Sequence, residues 1–130
     1  MFVKDLIEAK ILLDNITAGE TVSKSISLQD KILFLIYDYG VASPQFLIKK
    51  LGVFKTNLAF GCKQLMLEGL LVSLKSEGDK RKIIYKLTKG GEERVERLFE
   101  RIDAWFRDGE IDKEMECSLE KVIVLLNKKV

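Results

Sequence analysis

Residues 70–89 read Leu70-Leu71-Val72-Ser73-Leu74-Lys75-Ser76-Glu77-Gly78-Asp79-Lys80-Arg81-Lys82-Ile83-Ile84-Tyr85-Lys86-Leu87-Thr88-Lys89. Two short runs, 70–75 and 83–87, are dense in large and β-branched apolar residues, which favour a pleated, half-buried surface. The polar segment between them contains Gly78 and supplies turn chemistry, so the pair predicts a hairpin with a charged tip. From Lys75 to Lys89, six cations (Lys75, Lys80, Arg81, Lys82, Lys86, Lys89) stand against Glu77 and Asp79, a net +4 on one hairpin and its exit.

Immediately upstream, Ser43-Pro44 is a strong helix start: a hydroxyl N-cap followed by the residue preorganised for a first helical turn. The short helix it opens carries Phe46, Leu47 and Ile48 and stops at Leu51-Gly52-Val53. A second helix runs from about Lys55 to Glu68, with Leu58, Cys62, Leu65 and Met66 as its inner stripe and Gly69 closing it. Two helices joined by a tight glycine-containing turn predict a helix-turn-helix, with the hairpin behind it as a wing.

Farther out, Ser27 followed by Asp30 resembles a capping box. It opens a helix with Leu28, Ile32, Leu35, Ile36 and Tyr39 at spacings of three and four, ended by Gly40. Thr88 caps a long helix from about Lys89 to Arg107, with Val95, Leu98, Phe99, Ile102, Trp105 and Phe106 along one side. A last helix, from about Asp112 to Asn127, follows Asp108-Gly109, and an N-terminal helix reaching about Ile16 is apolar on more than one side.

Charge is unevenly distributed. Residues 41–89 hold ten basic and three acidic side chains, a balance of +7; residues 1–40 sum to −2 and residues 90–130 to −3. A polyanion is attracted to the middle and indifferent to the ends. Histidine is absent, and Cys62 and Cys117 form no metal-ligand spacing, so zinc sites and imidazole bases are disfavoured. With no glycine-rich phosphate loop and no nucleophile beside a base, neither an enzyme nor a cofactor is expected. No apolar run reaches the roughly 18 residues of a membrane span, and the first residues lack signal-peptide character. The expectation is a protein of the cell interior, associated with the nucleoid if it binds DNA.

The run from Leu51-Gly52-Val53 to Glu68-Gly69-Leu70-Leu71, with Asp79-Lys80-Arg81 and Leu87-Thr88-Lys89-Gly90-Gly91 behind it, resembles the MarR family of winged-helix regulators. The likeness covers residues 28–107 well and the ends in outline. It implies a mainly α fold with a small β-hairpin wing, a DNA-binding module over about 28–89, and dimerisation helices over about 1–16 and 90–130. It also implies that Arg81 reaches a minor groove while Asp79 holds its guanidinium. Two positions depart from the family pattern: Phe54 replaces a usual Ser N-cap, and Phe60 a frequent DNA-facing Arg.

The candidate contacts to double-stranded DNA are Ser43, Lys55, Thr56, Asn57, Phe60, Lys63, Gln64, Asp79, Lys80, Arg81 and Lys82. Lysine and threonine suit phosphates, Asn57 and Gln64 suit adenine edges, and Phe60 suits a thymine methyl. Apolar residues at the two ends, Leu6, Ile7 and Ile11 together with Met115, Leu119, Val122, Ile123 and Leu126, exceed what a lone winged-helix core covers and predict a homodimer interface. Trp105 and Phe106 read as core or interface residues, with a family-like small-molecule effector pocket beneath them as the alternative. The acidic residues of 92–116 alternate with Arg94, Arg97, Arg101 and Arg107, as on a salt-bridged helix face. Buried, inert thiols are expected at Cys62 and Cys117. The function that follows is a dimeric DNA-binding transcriptional regulator. A low-specificity chromatin-like protein and a protein-interaction module are the competing readings.

Overall fold

In chain order the elements are α1 (Phe2–Ile16), α2 (Leu28–Tyr39), β1 (Val41–Ala42), α3 (Pro44–Leu51), α4 (Lys55–Leu67), β2 (Leu71–Lys75), β3 (Ile83–Leu87), α5 (Lys89–Trp105) and α6 (Lys113–Asn127). The computed structural model describes the backbone of residues 2–16, 26–79, 81–105 and 113–128, and the side chains of 3–12, 26–79, 81–101 and 118–128. The expectations at Lys80, Phe106 and Arg107, and those on the side chains of Ile102, Trp105, Met115 and Cys117, lie outside the described residues.

The core is built around α2. The Ser27 hydroxyl accepts the Asp30 N–H at 3.1 Å, satisfying one of the orphan donors of the first turn. Ile32, Leu33, Phe34, Leu35 and Ile36 are all buried, so this helix is apolar nearly all round and sits among the others. It packs against α4, α5, β1 and β3. Phe99 of α5 meets Phe34 and Tyr37 edge-on, with ring centroids 6.1 and 5.4 Å apart.

The helix-turn-helix forms as the sequence predicts. Ser43 caps α3 by accepting the Phe46 N–H at 3.1 Å. Gly52 then takes a left-handed conformation (φ 66°) and donates its N–H to Ile48 O at 2.8 Å, turning the chain into α4. The inner stripe of α4 is Leu58, Gly61, Cys62 and Leu65. Met66, expected in that stripe, is exposed instead: it lies next to the inward Leu65, past the edge of a narrow buried face.

The hairpin carries a third strand that sequence reading left out. The sheet is antiparallel with order β1-β3-β2; Val41 and Ala42 pair with Lys86 and Tyr85, while Leu71 to Lys75 pair with Leu87 to Ile83. Two residues between Gly40 and Ser43 are too few for a periodicity to be visible.

Helix α1 is apolar on two sides because it touches two neighbours. Val3, Ile7 and Ile11 enter the main core, whereas Ala9 and Leu12 pack with Ile123, Leu119 and Leu126 of α6. Asn127 fixes that arrangement: its amide donates to Glu8 at 3.5 Å and to Ile123 O at 3.2 Å, and its oxygen accepts from Lys50 of α3. The premise that one chain cannot cover Leu6, Ile7, Ile11 and Ile123 is therefore corrected. Ile7, Ile11 and Ile123 are buried and Leu6 is half-buried within a single chain, because α1 is sandwiched between the core and α6.

Candidate nucleic-acid interface

One face of α4 is polar, basic and open to solvent. Lys55, Thr56, Asn57, Phe60 and Lys63 are exposed and Gln64 is half-buried, opposite the buried Leu58, Cys62 and Leu65. Phe60 stands out: its ring is 63% exposed, with Thr56 and Asn57 one turn before it and Lys63 and Gln64 one turn after. Phe54 occupies the N-cap position with extended dihedrals (φ −70°, ψ 148°) and makes no side-chain capping bond. The first N–H groups of α4 therefore lack a side-chain cap, and such groups are the ones that receive phosphate oxygens.

The wing presents its cations at a tight turn. Ser76 N–H donates to Lys82 O at 2.9 Å and Lys82 N–H to Asp79 O at 3.0 Å. Asp79 Oδ1 accepts the Arg81 N–H at 3.0 Å and the Arg81 Nε at 3.4 Å. Its carboxylate thus orients the arginine, whose side chain is 93% exposed. Lys82 is exposed beside it. Ser43 is half-buried; its hydroxyl oxygen is engaged in capping α3, which leaves its O–H as the group to offer a phosphate.

Three contacts tie this face to the rest of the molecule. Thr88 donates its hydroxyl to Gly69 O at 2.6 Å and accepts the Gly91 N–H at 3.1 Å, joining the end of α4 to the start of α5. The Tyr85 hydroxyl shares a hydrogen bond with the Cys62 thiol, joining β3 to α4; burial pushes that thiol up from 9.0 to about 11 despite this bond. The third contact is an ion-pair group. Arg94 lies 3.3 Å from Asp30 and 3.8 Å from Glu68, and Arg101 lies 3.7 Å from Asp30. These arginines of the charged α5 face reach beyond their own helix, to the ends of α2 and α4. An aspartate in the first turn of a largely buried helix was the signal to follow, since a buried carboxylate requires a partner.

Among the described residues, no group of three or more His, Cys, Asp or Glu could hold a metal ion. No described helix is long and apolar enough to cross a membrane. A cleft of about 390 Å³ lies between the end of α2, β3 and the first turns of α5, lined by Ile36, Tyr37, Gly40, Lys86, Leu87, Glu92 and Glu96.

No protein-family model and no curated protein matches the sequence. Solved structures do match the backbone. A MarR mutant from E. coli, solved with operator DNA, superposes with a TM-score of 0.58 at 22% identity over 95% of this chain and 84% of that one. The fold is that of the MarR-like winged helix. BpsR of Bordetella bronchiseptica, whose DNA binding is regulated by 6-hydroxynicotinic acid, matches at 0.57 and 19% identity over 97% of this chain and 86% of that one. ZitR of Lactococcus lactis matches at 0.55 and 17% identity, over 86% and 81%. In this MarR-like frame α3 and α4 are the helix-turn-helix, and β2 and β3 are the strands of the wing.

Proposed function

We propose that the chain is a sequence-specific transcriptional regulator that binds double-stranded DNA as a two-fold dimer. The observation that carries this reading is the coincidence of the exposed polar face of α4 with the basic wing, in a segment of net charge +7. In this reading α4 enters the major groove, Lys55, Thr56 and Lys63 hold phosphates, and Asn57 and Gln64 read base edges. Arg81, steered by Asp79, enters the adjacent minor groove, where A·T tracts concentrate negative potential. In the same reading Lys80 and Lys82 add phosphate contacts. The fold likeness supports the reading, since the MarR structure was solved on operator DNA.

The dimer surface is the outer face of α6. Val122, Val124 and Leu125 are exposed there, on the side away from the inward Leu119, Ile123 and Leu126. A small-molecule effector belongs to the same reading, and the cleft beside Tyr37 has the size such ligands use.

Selection from a random duplex pool tests the function. The pool should converge on one motif. Asn57→Ala should then weaken binding to that motif by about 1–3 kcal/mol while changing binding to random duplex little. Equal losses on both would instead support the chromatin-like protein of low specificity.

A further inference from the structure

Phe60 is the aromatic residue on the exposed α4 face, and its chemistry differs from that of its polar neighbours. An aromatic side chain contributes to binding chiefly by burying its ring, and a ring 63% exposed in the free chain has most of that burial still to gain. Its neighbours one turn away, Thr56, Asn57, Lys63 and Gln64, are polar, and the nearby apolar residues Phe54 and Leu67 are themselves largely exposed, so the ring stays open on the free chain and its burial comes from a ligand. The surrounding charge specifies a polyanion. In the major groove of duplex DNA the apolar group on a base edge is the C5 methyl of thymine; cytosine and uracil carry hydrogen at that carbon.

We infer that Phe60 makes α4 a reader of the pyrimidine C5 methyl, so that binding discriminates thymine from uracil and responds to methylation of cytosine at the same position. The inference rests on the reading of α4 as the major-groove helix. A frequent arginine at this place would select guanine by a bidentate hydrogen bond; phenylalanine offers no hydrogen bond and selects by surface alone. Burying one methyl group is worth about as much as one methylene, which corresponds to roughly fourfold in affinity. Thymine and 5-methylcytosine present the same methyl at the same edge of the groove, so the effect carries over to a cytosine that acquires one.

The test is a double-mutant cycle on the duplex selected with the wild-type chain. Wild type and Phe60→Ala are each titrated with that duplex made with thymine or with deoxyuridine. A second pair carries cytosine or 5-methylcytosine at the contacted position. Wild type should prefer the methylated member of each pair by roughly fourfold, and Phe60→Ala should show a ratio near one. Because the ring is largely exposed, the variant should keep the wild-type thermal midpoint, so lost discrimination will not reflect unfolding. A wild type that binds both members of each pair equally, or a variant that keeps the preference, overturns the methyl reading alone. A wild type that binds no duplex overturns the DNA-binding function and the methyl reading with it.

Discussion

Gly90 and Gly91 are adjacent in sequence and opposite in consequence. A Cβ on Gly91 would sit 2.2 Å from the Leu70 carbonyl oxygen, a backbone atom held in place by the Thr88 N–H at 3.2 Å. At Gly90 the nearest atom would be a flexible Leu70 methyl at 3.5 Å, an ordinary contact. Gly91→Ala should therefore cost about 3 kcal/mol, whereas Gly90→Ala should be neutral or stabilise by up to about 0.5 kcal/mol. Urea unfolding of the two variants checks this, and equal effects would contradict the geometry. Cys62 gives a pH signature at the same scale. Its thiol ionises near 9.0 when unfolded and near 11 when folded, burial being the main cause. A group whose folded pKa is raised contributes stability below the unfolded value and loses it above. The urea midpoint should thus hold steady to about pH 9 and fall toward pH 11, with Tyr85, also raised by burial, adding to the fall. A Cys62→Ala chain should be less stable at neutral pH yet lose less over that interval.

Elements whose start and stop residues carry a backbone mechanism were legible in the sequence. Ser27, Ser43-Pro44, Gly52 and Thr88 each mark a boundary that the structure keeps, because a cap or a left-handed glycine acts within four residues. β1 was not legible: its strand character comes from pairing with β3 forty-odd residues later, which no local pattern records. The Asp30–Arg94–Glu68 group was missed for the same reason, since its members lie on three separate elements. The exposed residues of α4 were legible from helical spacing, Met66 being the exception at the edge of the stripe. At α6, helical spacing showed an apolar stripe but not which neighbour covers it. Leu119, Ile123 and Leu126 serve the chain's own α1, and the surface left over is Val122, Val124 and Leu125. A second copy is the economical cover for that surface, so sedimentation equilibrium at micromolar concentration should give twice 14.9 kDa. Val124→Glu with Leu125→Glu should return the mass to 14.9 kDa without unfolding α6, because both side chains point away from α1.

For the whole molecule, charge and fold point the same way. The cationic middle of the chain folds into the helix-turn-helix and wing, while the mildly acidic flanks contain α1 and α2 on one side and α5 and α6 on the other. A charge division of this kind attracts a polyanion to the middle segment more than to the flanks. Strand β2 packs against α4 and Thr88 ties the end of α4 to the start of α5, so the wing strands are held beside α4, as the proposed function requires. Binding of this kind releases condensed counterions, and its salt dependence counts the phosphates engaged. The most direct test is therefore the affinity of the chain for duplex DNA measured as salt is raised from about 50 to 200 mM. A dimer that neutralises roughly six to ten phosphates should lose about 10³ to 10⁵ in affinity across that range. Affinity that stays flat would contradict the assignment of this chain as a DNA-binding protein.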